Sequence, residues 1–226
     1  MKPLADCQLY TFVDTACLRG RAPELVAQQL CDGGSDLVQL RAKNAPPDEI
    51  RAMAEKILPI TRLAGARLVI NDHLAIAQAV GAEFCHLGQE DFFGAGHQHV
   101  SEILNPDSEA QTPESEFRTP RSALRIGLST HAPAQAQRAL AAGADYVAIG
   151  PVYATATKPN TRPVTLGYVR WAAAQVTEPW FAIGGINLRT LDEVLAAGAR
   201  RVCVVSAILD APDVAKACAE FKRRLA

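Results

Sequence analysis

A glycine, two linking positions and a short apolar run recur four times along the chain. The copies are GSDLVQL at 34–40, GAEFCHL at 81–87, GADYVAI at 143–149 and GARRVCV at 198–204. A helical-looking stretch precedes each glycine, as at 132–142 and 190–197. Glycine at the end of a helix takes the left-handed conformation at little steric cost, and here a strand follows at once. Each copy therefore predicts a corner where a helix hands over to a β-strand. The four glycines stand 47, 62 and 55 residues apart. That is about twice the ~30 residues of one strand–helix unit, so each interval should hold a second, less regular strand. Apolar stretches at 67–70, 124–128 and 180–183 fill the three intervals, and 9–13 precedes the first copy.

Eight strands, each followed by a helical pattern, predict an α/β fold in which 226 residues close into one (β/α)8 TIM barrel. Parallel strands buried on both faces read as short apolar runs, as these do. A doubly wound open sheet is the alternative. The length corresponds to ~1.5 average domains, and a single domain over 1–226 is expected. One segment breaks the rhythm: NPDSEAQTPESEFRTPRS at 105–122, whose one large apolar residue is Phe117. It cannot bury enough surface to offset its ordering entropy. It reads as a disordered insertion between the fourth helix and the fifth strand, and accounts for the longest interval.

Composition narrows the function classes. Lys and Arg total 23 against 24 Asp and Glu, for a formal charge of −1. A general nucleic-acid binder is usually basic, so none is expected. No run of ~18 apolar residues is present to span a membrane. The first residues meet an acid at Asp6 and lack the apolar core of a secretory signal. A cytoplasmic protein with no membrane partner is expected, and homo-oligomerisation is left open. The six cysteines, at 7, 17, 31, 85, 203 and 218, form no C-x-x-C pair. They read as small buried hydrophobes in a reducing compartment rather than a disulfide framework or a zinc site.

In such a barrel the chemistry sits at the C-terminal ends of the strands. After strand two, alternation places Gln39, Arg41 and Lys43 on one side. A planar guanidinium and a compact ammonium then face one spot and suit phosphate oxygens; a solvated strand end is the alternative. Asp72 follows strand three and Asp91 follows strand four. One or two carboxylates with water and substrate phosphates is the usual way of holding Mg²⁺, although each is also a natural helix cap. After strand five come Ser129, Thr130 and His131, either capping a helix or meeting an anion. No G-x-S-x-G elbow and no nucleophile triad is present. The long turn after strand six carries Thr155, Thr157 and Lys158, as a phosphate loop, a lid or plain polar surface. Gly184 and Gly185 after strand seven, with Val205 and Ser206 after strand eight, suit a phosphate at main-chain N–H groups; tight barrel packing is the alternative. His86 reads as packed or hydrogen-bonded, the His97/His99 pair as surface, and Trp171 and Trp180 as core.

The strings QLRAK (39–43), IND (70–72), HLGQED (86–91), IGLSTH (126–131), ADYVAIGPVYATATK (144–158), AIGGI (182–186) and VVSAI (204–208) are collinear. Together they resemble the thiamine-phosphate synthase (thiamine phosphate pyrophosphorylase) family. The main departure is the segment 105–122. The resemblance implies a Mg²⁺-dependent transferase that joins 4-amino-2-methyl-5-hydroxymethylpyrimidine diphosphate to 4-methyl-5-(2-hydroxyethyl)thiazole phosphate. Thiamine phosphate and diphosphate would be the products. The pyrimidine diphosphate would ionise first and the thiazole nitrogen would capture the cation, without a protein nucleophile.

Carried over by position, Gln39, Leu40, Arg41, Ala42, Lys43, Asn71, Ser129 and Lys158 would meet the pyrimidine diphosphate. Arg41, Lys43, Ser129 and Lys158 among them would be catalytic. Asp72 and Asp91 would hold Mg²⁺. Thr155, Ala156, Thr157, Gly185, Val205 and Ser206 would meet the thiazole phosphate. Two rival readings stay open. One is a thiazole tautomerase of the same barrel family with His131 as acid/base. The other is a non-catalytic sensor of phosphorylated ligands, because fold alone does not establish turnover.

Overall fold

All four repeat glycines are left-handed, with φ of +83° at Gly34, +73° at Gly81, +85° at Gly143 and +101° at Gly198. Each ends a helical stretch and turns the chain into the next strand, as the repeat predicts. The structure is a computed structural model that describes residues 2–104, 124–155 and 162–226. The expected insertion at 105–122 lies outside the described residues, as do Ala156, Thr157 and Lys158.

Eight parallel strands close into a barrel in sequence order, so the open-sheet alternative falls away. They are β1 (Leu9–Asp14), β2 (Leu37–Arg41), β3 (Arg67–Asn71), β4 (Phe84–Gly88), β5 (Arg125–Thr130), β6 (Tyr146–Ile149), β7 (Trp180–Ala182) and β8 (Val202–Cys203). The helices run outside. They are α1 (Pro23–Asp32), α2 (Pro47–Leu63), α3 (Leu74–Val80), α4 (Gln89–Gly94), α5 (Val100–Leu104), α6 (Pro133–Ala141), α7 (Thr165–Gln175), α8 (Leu191–Ala196), α9 (Ser206–Leu209) and α10 (Val214–Leu225). Among the described residues, no helix is long and apolar enough to cross a membrane.

Strand alternation sorts the core into two shells. Leu9, Val13, Val38, Leu40, Leu68, Ile70, Leu128 and Ile149 point outward and pack under the helices. Tyr10, Phe12, Leu37, Val69, Phe84, Tyr146, Phe181 and Cys203 fill the barrel interior, and Leu4 and Cys7 close its lower end. All six cysteines are free, and all but Cys17 are buried. That matches the reading of packed thiols.

The third residue of the repeat has a role that the pattern alone did not reveal. In three copies it is an acid that reaches back to the start of the preceding strand. Asp36 accepts from the N–H groups of Gln8 (2.7 Å) and Leu9 (3.0 Å). Glu83 accepts from Leu68 N–H at 3.0 Å, and Asp145 from Ile126 N–H at 2.8 Å. The fourth copy has Arg200 there. Asp36 also pairs with Lys2 (2.5 Å) and Lys222 (2.6 Å), tying the N-terminal segment and α10 to one buried carboxylate. Burial pushes the Asp36 pKa up, but the Leu9 N–H, the two lysines and the Gln8 N–H outweigh it and hold it below the ordinary value of 3.8.

A depressed pKa stabilises the fold above the unfolded-state value, and that contribution is lost as pH falls through the folded value. Asp36→Asn is therefore expected to cost about 3 kcal/mol at pH 7, and much less well below pH 3.8. Urea unfolding of both proteins at pH 7 and near pH 3 reads this difference. An equal gap at both values would remove Asp36 as the acid-sensitive group.

Candidate active site

One cavity opens at the C-terminal ends of the strands, with about 870 Å³ of space not filled by atoms. Gln39 and Arg41 from β2, Asn71 from β3, His86 from β4 and Ser129 from β5 border it on one side. Across the mouth are Thr155, Gly184, Gly185, Ile186, Val205 and Ser206. The barrel thus brings residues from β2, β3, β4 and β5, and from the turns after β6, β7 and β8, to a single space.

Other nominated residues stand elsewhere. Leu40 and Ala42 alternate outward, and their side chains are buried beneath the helices. At those two positions only main-chain atoms remain to meet a ligand, because a one-residue step along a strand reverses the face. Lys43 is exposed at the rim, with its ammonium 3.8 Å from the Asp72 carboxylate. Asp72 also accepts from Asn71 Nδ2 at 2.6 Å. It is one of few non-glycine residues with positive φ, at +64°, and its N–H donates to the His86 carbonyl at 2.9 Å. That strained turn keeps the carboxylate at the open end of β3.

Asp91 sits exposed in the first turn of α4. Its carboxylate lies over Gly88, where a Cβ would come within 2.6 Å of Oδ2. Among the described residues, no cluster of three or more His, Cys, Asp or Glu side chains is formed that could hold a metal alone. Two exposed carboxylates at the ends of neighbouring strands are the donor set of a Mg²⁺ that completes its shell with water and substrate phosphate. The residues present fit that ion.

Arg41 is held in place. Its Nη1 donates to Asp14 Oδ2 at 2.7 Å, with 14% of the Arg41 side chain and 2% of the Asp14 side chain exposed. Strand register puts Asp14 and Arg41 directly opposite each other. The role of Asp14 was not read from the sequence, because it depends on which strand lies beside β1. Asp14 also caps the short turn after β1 through the Ala16 N–H at 3.1 Å.

The opposite side is made of main chain. The N–H groups of Gly184, Gly185, Ile186, Val205 and Ser206 donate to no described residue, and all five residues line the cavity. Of the five residues only Ile186 is buried; a group of unpartnered N–H groups beside one space suits an anion. The two glycines also serve packing. A Cβ on Gly184 would fall 2.4 Å from Pro151 Cα, and one on Gly185 would fall 2.8 Å from the Ala154 carbonyl. The packing reading of these glycines therefore holds: they seat the β6–α7 loop beside the cavity.

The hydroxyls after β5 separate. Ser129 borders the cavity. Thr130 is fully buried, and its hydroxyl reaches the Ala148 carbonyl (2.9 Å) and the Tyr168 hydroxyl (2.8 Å). It neither caps α6 nor meets the cavity through that group. His131 has its N–H accepted by Gln135 Oε1 at 2.7 Å, and its ring Nδ1 donates to the Gly150 carbonyl. Cys203 lies on the cavity floor. Burial pushes its thiol well above the ordinary value, so it stays protonated and is no nucleophile. His97 and His99 are surface groups whose ring nitrogens face Glu102 (3.5 Å) and Ser101 (2.8 Å). Trp180 is buried, whereas Trp171 is half-buried against Tyr168.

Comparison with known proteins gives the family. A family model described as thiamine monophosphate synthase matches residues 9–208. A thiamine-phosphate synthase of Thermus thermophilus is 44% identical over 194 residues, covering 85% of this chain and 84% of the relative. One from Acidothermus cellulolyticus is 42% identical over 226 residues, covering 99% and 97%. Among solved structures, a thiamine phosphate pyrophosphorylase from Pyrococcus furiosus superposes with a TM-score of 0.81 at 28% identity, over 98% of this chain and 96% of its own. Matched along nearly its whole described barrel, the chain belongs to the thiamine monophosphate synthase family and is a transferase of thiamine biosynthesis.

Proposed function

We propose that the chain condenses 4-amino-2-methyl-5-hydroxymethylpyrimidine diphosphate with 4-methyl-5-(2-hydroxyethyl)thiazole phosphate, giving thiamine phosphate and diphosphate. The observation that carries this reading is one cavity bordered by the Arg41 guanidinium on one side, with the exposed Lys43–Asp72 pair at the ends of β2 and β3, and by residues with unpaired main-chain N–H groups on the other. Two anionic substrates fit such a mouth, one at each side.

In this reading Gln39, Asn71 and Ser129 hold the pyrimidine. Arg41, Lys43 and Lys158 hold its diphosphate, with main-chain contact at Leu40 and Ala42. Thr155, Ala156 and Thr157 meet the thiazole phosphate together with Gly185, Val205 and Ser206. The bond from the exocyclic methylene to the diphosphate oxygen breaks, and its electron pair leaves with the diphosphate. The ring amino group feeds electrons to the resulting cation. The thiazole nitrogen then donates its lone pair to form the new C–N bond. The Arg41 fork and the lysines meet charge that grows on the leaving group, where preplaced donors are most effective. Holding both reactants in one cavity removes much of the entropic barrier. Asp72 and Asp91 would hold Mg²⁺, which would supply further neutralisation of that leaving charge.

The test is thiamine phosphate formation by the purified protein with both substrates and Mg²⁺, with and without excess EDTA. Product that depends on the metal is expected. Binding of both ligands without product would favour the sensor, and turnover of a thiazole tautomer would favour the tautomerase. Asp91→Ala is expected to lower turnover roughly 10²-fold or more with an unchanged circular dichroism spectrum. Full turnover in that variant at limiting Mg²⁺ would take Asp91 out of the metal site.

A further inference from the structure

Beneath the cavity, four polar side chains from four different strands join end to end inside the barrel. Gln39 Nε2 lies 2.5 Å from the Tyr10 hydroxyl, which lies 3.0 Å from the Tyr146 hydroxyl, which lies 3.0 Å from His86 Nδ1. Tyr10 and Tyr146 are fully buried, and burial pushes both phenols well above their ordinary value. They stay neutral, with one hydrogen each. Three bonds need three hydrogens, and the two hydroxyls supply two. One end of the chain must therefore donate into it and the other must accept.

With Gln39 donating, Tyr10 donates to Tyr146 and Tyr146 donates to His86 Nδ1. The imidazole proton then sits on Nε2. The Gln39 carbonyl oxygen, which accepts from no described residue and belongs to a side chain bordering the cavity, is left as an acceptor. In the opposite polarity His86 Nδ1–H donates, and Gln39 would offer its amide hydrogens instead.

We propose that Tyr146 is a positioning residue: with Tyr10 it relays the first polarity, in which Gln39 Nε2 donates, so that the cavity floor offers an acceptor and selects a ring bearing an amino group over one bearing an oxo group. This rests on the proposed pyrimidine substrate and adds a device that sets its specificity. The tyrosines are themselves clamped. Tyr10 and Tyr146 meet edge to face at 6.0 Å, and each meets Phe181 edge to face, at 5.4 Å and 5.6 Å. Neither hydroxyl oxygen can shift without moving a packed ring; the direction of each hydrogen is set by the ends of the hydrogen-bonded chain.

The experiment compares kcat/KM for the aminopyrimidine diphosphate and its oxo analogue in the wild type, Tyr146→Phe and Tyr10→Phe. The wild type is expected to prefer the amino compound strongly, since a site built around a hydrogen bond rejects its mismatch. Each variant should lose at least about tenfold of that preference, chiefly through KM, and the double variant should lose no more than the worse single one. Tyr168→Phe removes a buried hydroxyl outside this chain and should keep the preference. Nitrogen NMR of His86 in the ligand-free protein should show the proton on Nε2, whether or not the substrate assignment holds. A proton on Nδ1 would overturn the polarity. Unchanged preference in both folded variants, or an equal loss of preference in Tyr168→Phe, would overturn the positioning role. No turnover of either compound by the wild type would instead refute the substrate reading, with the NMR result still deciding the chain.

Discussion

Replacing Arg41 by alanine is expected to lower kcat/KM roughly 10³-fold, the scale for losing a preplaced donor to a developing anion. The guanidinium enters the cavity from the end of β2 and is gripped from behind by Asp14 at 2.7 Å. That grip spends one nitrogen of the fork on the protein, in a side chain that borders the cavity. Arg41→Lys keeps the charge but not the planar fork, so it should recover only part of the rate. The alanine variant also strands the almost completely buried Asp14 carboxylate. Breaking one side of a buried pair costs about 3 kcal/mol. A double variant, Asp14→Asn with Arg41→Ala, should regain most of that stability and none of the activity. Steady-state kinetics beside urea unfolding separates the two effects. A kcat/KM within tenfold of wild type in Arg41→Ala would show that diphosphate departure does not depend on this side chain.

Gly127→Ala is expected to be the most damaging conservative change to the fold. Gly127 sits in β5 opposite Tyr146 of β6. A Cβ there would fall 2.1 Å from Tyr146 Cζ and 2.5 Å from its hydroxyl oxygen. The Tyr146 ring has nowhere to go, because Tyr10, Phe84 and Phe181 pack its sides. Overpacking of a closed core costs about 3 kcal/mol or more when the neighbour cannot yield. The same clash displaces the hydroxyl between Tyr10 and His86, so any folded fraction should also lose preference for the amino compound. Gly127→Ala paired with Tyr146→Phe should remain destabilised, because the ring and not only the hydroxyl is struck. Thermal unfolding close to wild type in Gly127→Ala would mean the barrel interior is looser than its packing indicates.

The barrel was legible because its signals are local. A left-handed glycine after each helix is a demand of backbone sterics that any reader of the chain can see. Each of the four marked a real corner. The intervening strands followed from spacing, and the barrel end that carries chemistry followed from the fold. So Gln39, Arg41, Asn71 and Ser129 could be nominated from their places after strands, and all four border one cavity. Face was harder than position. Leu40 and Ala42 were nominated beside Arg41, yet their side chains pack outward. A motif string contains both faces of a strand, and only one of them reaches the site.

What the chain did not disclose were relations between strands distant in sequence. Asp14 gains its meaning from Arg41, 27 residues away, and Tyr10 from Tyr146, 136 residues away. Both tyrosines read locally as ordinary apolar strand residues. Gly184 and Gly185 read as an anion cradle, and only the closed barrel revealed that the β6–α7 loop lies against them. Backbone sterics and hydrophobic period act over a few residues, so a linear sequence displays them. Ion pairing, ring packing and shared hydrogens act through space, and closure of the sheet chooses which residues become neighbours.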